Sequence, residues 1–518
     1  MTLSTTNIPS SSRMLLPANI PSTSIIADAQ QWLQLARELR ESGACFVTLW
    51  GTDDRDRKLG FCIRAAYLLP GSVLVVQHRV RDISSPSYPG IEESFPAALR
   101  MQRSVYDLLG IAANSSDTRS WLRHGGWPET VFPLRRDVDG SKQYPIVSEP
   151  YPFVSVQGDG VHEISVGPVH AGTIEPGNFR FSVVGEKVLR LEERLGYTHK
   201  GVAKLFETLS QQEGHRLAAR VSGDSAVAYS WAYGSALEAI TSTVSSPRAA
   251  VLRALALEHE RIANHLGDLG GLGNDAGFAF GLTHFSALKE TLLRSNTAAF
   301  GARYLLDYVI PGGVAFDLPA EAHSLLLDSY DSLESSVTNM RSIYDNHAGL
   351  QDRFREAGRL EQTTAEKLGA IGLIARASGI PCDLRVSHPW SPYETLAVRM
   401  MTQSGGDVAA RVQIRFDEVI ESLRLCRALL ADLPLGTIYI PVPIAAPNLL
   451  GIGLIEGWRG PVMIALETGI DGAIRRCHAH DPSWQNWPLI DHAILGNIVP
   501  DFPLINKSFN LAYSGHDG

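Results

Sequence analysis

The chain has 518 residues, a formal net charge of −9, 44% apolar residues and 19% charged ones. That length supports two or three domains with sizeable cores, and the acidic balance excludes the broad basic field that nucleic acid requires. No stretch reaches the roughly 18 uninterrupted apolar residues that cross a bilayer as a helix, and no run of Lys and Arg marks a polybasic membrane anchor. The five cysteines, Cys45, Cys62, Cys382, Cys426 and Cys477, form no CxxC pair. This suits a reducing compartment and gives no local nest for zinc or an iron-sulfur cluster.

Residues 1–27 are rich in Ser, Thr and Pro, lack the apolar core and cationic start of a secretory signal, and read as a flexible arm. "DAQQWLQLARELRESG" then predicts a helix running into the strand "ACFVTLW". "FCIRAAYLL" and "SVLVVQHRV" are short β-branched runs typical of sheet strands, and "FPAALRMQRSVYDLLGI" is helical. These elements predict a compact α+β domain over 28–145.

A second domain, 151–518, begins with short strands in "HEISVGPVHAG" and "NFRFSVVGEKVLRLEERLG". From Gly201 to Asp432 the pattern is mostly helical. Its best-defined helix is "SPRAAVLRALALEHERIANHLGDLGGL", with Ser246 as N-cap and Pro247 in the first turn. From Gly451 onward Gly, Pro and Trp predict a loop-rich tail with few strands. The fold class is α+β.

Within that helix Glu258, Arg261, His265 and Asp268 recur at steps of three, four and three, which stacks them on one face. Such a stripe can relay protons or hold a charged ligand, and equally can be a solvated or interdomain ion-pair face. "GPVHAGTIEPGNFRF" places His170 and Glu175 in a turn-prone loop that either pushes them into a cavity or closes an ordinary hairpin. "RRCHAHDPSWQN" gathers Cys477, His478, His480 and Asp481, ligand types for zinc or nickel, although a strand splays neighbouring side chains apart. Nucleotide chemistry and triad hydrolysis lack support, because no phosphate-binding Gly loop and no G-x-S-x-G elbow occurs.

The ordered landmarks "GPVHAG", "EPGNFRF", "LGYTHKGVAKLFE", "LEHERIANHLGDLG", "PGGV" and "GWRGPV" resemble the family that joins the 49 kDa subunit of respiratory complex I to the large subunits of energy-converting nickel-iron hydrogenases. "RSVYDLLGI" and "WPETVFPLRRDV" make residues 28–145 similar to the complex I 30 kDa subunit. Such a fusion is typical of the large subunits of formate hydrogenlyase and hydrogenase-4. The resemblance implies a hydrogenase large-subunit-like second domain of β region, long helical bundle and tail. It also implies a neighbouring small subunit with a [4Fe-4S] cluster, of the complex I 20 kDa or hydrogenase small-subunit type, together with antiporter-like membrane subunits. The chain would then be held peripherally, by these partners, on the cytoplasmic face of a prokaryotic inner membrane.

Departures from the family pattern decide the mechanism. Where it has R-x-C-G-x-C, this chain reads Arg220, Val221, Ser222, Gly223, Asp224, Ser225, and where it has D-P-C-x-x-C it reads Asp481, Pro482, Ser483, Trp484, Gln485, Asn486. The four metal-binding thiolates are thus replaced by Ser222, Ser225, Ser483 and Asn486, poor donors for a soft metal. No metal or other cofactor is expected on this chain. The resemblance implies that "DPSWQN" packs back against "RVSGDS" around one altered cavity.

In the complex I branch the equivalent cavity receives a quinone headgroup. His170 matches the first His of that family's loop, the headgroup-facing His falls at Ile174, Asp275 in "GNDAGF" matches its Asp, and its Tyr has no counterpart beside Gly223 and Asp224. Three functions follow. In the first, Arg220, Asp224, Glu258, Arg261 and His265 relay protons or bind an acceptor in a complex that couples electron transfer to proton or ion translocation. In the second, His170, Glu175 and Asp275 bind quinone in an NADH:quinone-type oxidoreductase. In the third, the chain is a structural subunit whose cavity is filled by side chains such as Trp231 and Trp484, with its polar groups paired internally.

Overall fold

The computed structural model describes residues 13–147, 149–170 and 174–518. The first domain is built on the strands β1 (Arg13–Leu16), β2 (Ser22–Ala27), β3 (Cys45–Asp53), β4 (Phe61–Leu69) and β5 (Ser72–Val80), in the order β1-β2-β5-β4-β3. β2 runs parallel to β5, and every other pair is antiparallel. Helix α1 (Ala29–Glu41) supplies the crossover between β2 and β3. It starts at Asp28, whose carboxylate accepts from the Gln31 amide at 2.8 Å while the Gln31 side chain accepts from the Asp28 amide at 3.0 Å, a reciprocal capping box. Its buried stripe, Trp32, Leu35, Ala36 and Leu39, packs on the sheet, and α2 (Ala98–Leu109) covers β3.

Residues 13–27 therefore form two strands where the composition reads as an arm; residues 1–12 lie outside the described residues. The cause is tertiary. Ile20, Ile25 and Ala27 are buried apolar residues, and Asn19 exchanges two hydrogen bonds with the Leu454 backbone of the second domain, at 2.8 and 3.0 Å. The segment stitches one domain to the other.

In the second domain a three-stranded antiparallel sheet, Val161–Val166, Asn178–Val184 and Lys187–Arg194, leads into the helices Ala226–Thr241, Pro247–Asp275, Ala279–Phe300, Ala320–Asn346 and Val408–Ala431. The central helix, Pro247–Asp275, begins as the sequence predicts: the Ser246 hydroxyl accepts from the Ala249 amide at 3.1 Å, with Pro247 in the first turn. Among the described residues no helix is long and apolar enough to cross a membrane.

The segment after Gly451 is more regular than a loop-rich tail. It contains the antiparallel strands Leu450–Glu456, Pro461–Thr468 and Ile474–His480, then the helices Ser483–Ala493, Phe502–Phe509 and Tyr513–Asp517. Its glycines mark close packing rather than loops. The helix Ala226–Thr241 lies so near the first of these strands that a Cβ on Gly453 would stand 1.8 Å from the Ala232 carbonyl oxygen, and one on Gly451 2.6 Å from that of Ala236.

Gly453→Ala should consequently force the helix off the sheet, with a loss at or above the upper end of the ~1–3 kcal/mol typical of overpacking. A lowered midpoint in urea unfolding checks this, and a midpoint equal to that of the parent chain would contradict it.

Candidate functional site

The "RVSGDS" segment is the loop entering the helix Ala226–Thr241. Asp224 is its hub: Oδ1 accepts from the Ser222 hydroxyl at 2.7 Å and from the Ser225 hydroxyl at 3.4 Å, and Arg459 reaches both carboxylate oxygens, at 2.8 and 2.6 Å. Burial works against the charge of Asp224, but the Arg459 guanidinium and the two hydroxyls outweigh it and hold the carboxyl below its usual range. Ser222, Asp224 and Arg459 line a cleft of about 310 Å³ together with Glu175, Asn510 and Ala512.

"DPSWQN" starts the helix Ser483–Ala493 and is linked to the first motif indirectly, through Tyr229 and Arg459. The Tyr229 hydroxyl donates to Asp481 at 2.9 Å, and the charges of both Asp224 and Asp481 bear on Arg459. The carboxyl-terminal segment runs between the motifs: the Asn510 carbonyl accepts from Arg459 at 2.5 Å, and the Ala512 amide donates to the Ser483 hydroxyl at 2.9 Å. Asn486 makes a two-bond clamp on the Ile371 backbone, accepting from its amide at 3.2 Å and donating to its carbonyl at 3.1 Å. Ser222, Ser225, Ser483 and Asn486 thus present neutral groups already committed to protein partners. They do not fit a nickel-iron centre, which needs thiolate donors.

The stripe on the central helix is fully buried, which removes the solvated-face reading. The Glu258 carboxylate receives Arg385, Arg261, Tyr393 and Ser422 at 2.6–3.2 Å. Arg385 also pairs with Asp383 at 2.7 Å. His265 Nε2 lies 2.7 Å from Glu418, which Arg376 binds at 2.6 Å, and Arg376 continues to Glu456 at 3.1 Å. Asp268 is taken by Arg415 at 2.8 Å and Asn510 at 2.6 Å. Around Glu258 and Glu418 the carboxylates Glu258, Asp383, Glu418 and Glu456 face the guanidiniums Arg261, Arg376 and Arg385, plus His265. Burial keeps His265 below its usual range. Burial and the charge of Asp383 push the Glu456 carboxyl up to about 7.

Cleft and network join at the turn Gly457–Gly460. Glu456 ends in the network, the Trp458 indole donates to the Asp224 carbonyl at 2.9 Å, and Arg459 enters the cleft.

Of the remaining expected residues, Glu175 alone reaches the cleft. Arg220 has a side chain 48% exposed and forms a two-bond pair with Asp307 at 2.7 and 2.8 Å. His170 Nε2 is bonded to the Gly177 carbonyl at 2.7 Å; residues 171–173, between it and Glu175, lie outside the described residues. Glu175 is exposed at the cleft rim and accepts from the Ser514 amide at 3.2 Å. Asp275 ends the central helix, exposed and outside the cleft wall.

Trp231 packs against Trp390, and Trp484 stacks on His516 with ring centroids 4.0 Å apart; neither lines the cleft. In "RRCHAH" the strand alternation separates Cys477 from His478, which bonds Thr48 at 2.8 Å and stacks on Trp50. Among the described residues no group of three His, Cys, Asp or Glu side chains could hold a metal ion. Arg459, Arg376, Asp383, Arg385, Glu418 and Glu456 were not legible as site residues, although Glu456 and Arg459 flank and occupy the quoted "GWRGPV".

The sign of the Glu456 shift gives a pH dependence. The folded chain binds this proton more tightly than the unfolded one, so the associated stability is present below the unfolded value of about 4.5 and is lost as pH rises through about 7. Unfolding free energy from urea titrations should fall between pH 5 and 8, and Glu456→Gln should flatten that fall by ~1–2 kcal/mol, within the value of one to two pKa units. An identical fall in the variant would contradict the assignment.

Both domains have counterparts among known proteins. The family model described as "Respiratory-chain NADH dehydrogenase, 30 Kd subunit" matches residues 25–144, and that described as "Respiratory-chain NADH dehydrogenase, 49 Kd subunit" matches 275–448, a span that contains neither altered motif. Formate hydrogenlyase subunit 5 of Escherichia coli is 30% identical over 487 residues, 92% of this chain and 85% of the relative. The C/D-type NADH-quinone oxidoreductase subunit of Phocaeicola vulgatus is 26% identical over 76% of this chain and 80% of its own length. A chain of the membrane-bound sulfane sulfur reductase, an archaeal respiratory membrane complex, shares the fold with a TM-score of 0.65 at 23% identity, over 69% of this chain and 99% of that one. The chain belongs to the family of fused 30 kDa- and 49 kDa-type subunits shared by complex I and the energy-converting hydrogenases.

Proposed function

We propose that this chain is the large-subunit-like component of a membrane-associated oxidoreductase that couples electron transfer to proton or ion translocation, with the cleft at Asp224 in place of a nickel-iron centre. One observation carries the reading: the four ligand positions of the family hold hydroxyl and amide groups bonded to protein, while a charged cleft stays open beside them. In this reading an acceptor binds between Asp224, Arg459 and Glu175. Electrons arrive from a [4Fe-4S] cluster in a neighbouring small subunit, and antiporter-like membrane subunits hold the assembly on the cytoplasmic face of the inner membrane. The buried network is the charge-compensating element, because Glu456 changes protonation near neutrality when the charge beside it changes.

The internal pairing of the four positions also supports a second reading, a structural subunit without turnover. The quinone reading draws less support, since His170 is spent on the Gly177 carbonyl and Asp275 stands outside the cleft.

Two measurements separate these readings. The complex purified through this chain should contain iron and no stoichiometric nickel by elemental analysis; one nickel per chain would overturn the proposal. In the same complex, driven by reduced methyl viologen, Asp224→Asn should lower electron uptake by about tenfold, one oxidation-state-dependent interaction of ~1.4 kcal/mol, without loss of assembly. Unchanged uptake with normal assembly selects the structural reading.

A further inference from the structure

The loop at Gly223–Asp224 has an opening on each side. One is the 310 Å³ cleft walled by Ser222, Arg459 and Asn510. The other, about 350 Å³, lies between the central helix and Ala279–Phe300, with Glu260, Asn264, Lys289, Arg303 and Tyr304 in its wall. Gly223 and Asp224 line both, so the loop is a thin septum between two clefts. Gly223 adds no side chain to it, and an added Cβ there would meet open space, with nothing within 4 Å.

On the far side of this septum stands Glu260, a buried carboxyl that the motif cavity does not use. The residue is 7% exposed, and its oxygens accept from the Val227 amide at 2.7 Å and the Ala228 amide at 3.2 Å. These are free amides in the first turn of the helix Ala226–Thr241, and they fix the carboxyl at the base of the second cleft. Among the described residues no ion pair neutralises it.

The groups that face it are known from every side. Its own helix contributes Arg261 and Asn264, the septum contributes Asp224, and the opposite wall contributes Lys289, Asn296, Arg303 and Tyr304. Arg303 is tied to Glu290 at 2.6 Å. Asn264 Nδ2 donates to the Asp224 carbonyl at 2.8 Å and the Glu260 carbonyl at 2.9 Å, which locks the septum to the helix. Burial, reinforced by the charge of Asp224, prevails over the two amides and Arg261 and pushes the Glu260 carboxyl up to about 8. It therefore carries a proton at neutral pH and releases it at small cost.

We infer that Glu260 is the group through which the motif cavity exchanges protons with solvent, taking them from the Lys289–Arg303 cleft and passing them across the Gly223–Asp224 septum. This rests on the reading of the motif cavity as the place where an acceptor is reduced. The step is a proton transfer alone. The O–H bond of Glu260 breaks, and the proton crosses the Gly223–Asp224 septum, which lines both clefts, to the reduced acceptor. The carboxylate left behind is reprotonated from hydronium in the second cleft. The electrons belong to the neighbour's iron-sulfur cluster and do not pass through Glu260.

Infrared difference spectra of the full chain between pH 6 and 10 test the titration. A protonated-carboxyl band should disappear with a midpoint near 8, be absent in Glu260→Gln, and move to higher pH in Lys289→Met, which removes a cation from the cleft while leaving the carboxyl in place. A spectrum in which Glu260→Gln keeps every titrating band overturns the assignment.

Proton uptake by the purified complex on reduction with methyl viologen radical tests the route. Glu260→Gln should slow it about tenfold, and Glu260→Asp should recover part of the rate. If Asp224→Asn slows uptake and Glu260→Gln does not, the route is wrong and the cavity reading stands. If the parent complex takes up no protons, both fall.

Discussion

The structure turns on the four residues from Gly457 to Gly460. The turn closes with the Gly457 amide donating to the Gly460 carbonyl at 2.9 Å, and Gly460 adopts a φ of +144°, a conformation open in practice to glycine. A Cβ there would also stand 3.0 Å from the Gly372 Cα. Within this small loop the chain places Glu456 against Arg376, the Trp458 indole on the loop carrying Asp224, and Arg459 on the Asp224 carboxylate. A displaced turn would break all three contacts together, and would part the buried Arg459 guanidinium from the Asp224 carboxylate. Removing one member of a buried pair typically costs ~3–5 kcal/mol, so the turn has little freedom.

The network behind it is unusual in its arithmetic. Three guanidiniums serve four carboxylates, and the histidine that could supply the fourth cation is held neutral by burial. Burial and the charge of Asp383 raise the Glu456 carboxyl to about 7, so this member of the network takes up a proton near neutrality. Such an interior contributes little net stability compared with apolar packing, but it fixes the relative positions of the central helix, the helix Val408–Ala431 and the carboxyl-terminal strands. It also responds to charge introduced nearby, which apolar packing would not.

Local signals in the sequence were legible wherever a local cause produced the structure. Asp28 and Ser246 start helices because their side chains cap the first turn, and both show in the residue order. The strands at 13–27 were hidden because their cause is non-local: Asn19 and Ala18 pair with a strand more than four hundred residues away. The same holds for the tail, where Gly451 and Gly453 read as loop residues but serve close contact with a helix.

At the site, the stripe Glu258, Arg261, His265 and Asp268 was visible from its spacing, and its burial was not. Its partners Arg376, Arg385 and Glu418 come from distant segments with no pattern of their own. Position within the family suggested Asp275 and His170 for the cavity, yet the helix carries Asp275 about 15 Å beyond His265, at ~1.5 Å per residue, and out to solvent.

The two-bond clamp of Asn486 on the Ile371 backbone, and the Ser483 hydroxyl on the Ala512 amide, restrict what these two positions can hold. A thiol placed at either position would leave buried backbone groups unsatisfied, at ~1–3 kcal/mol each, long before four such changes could together attract a metal. Both positions are therefore fixed by the fold itself: the backbone that Ser483 and Asn486 satisfy sets the residue each can tolerate, whatever the cleft binds.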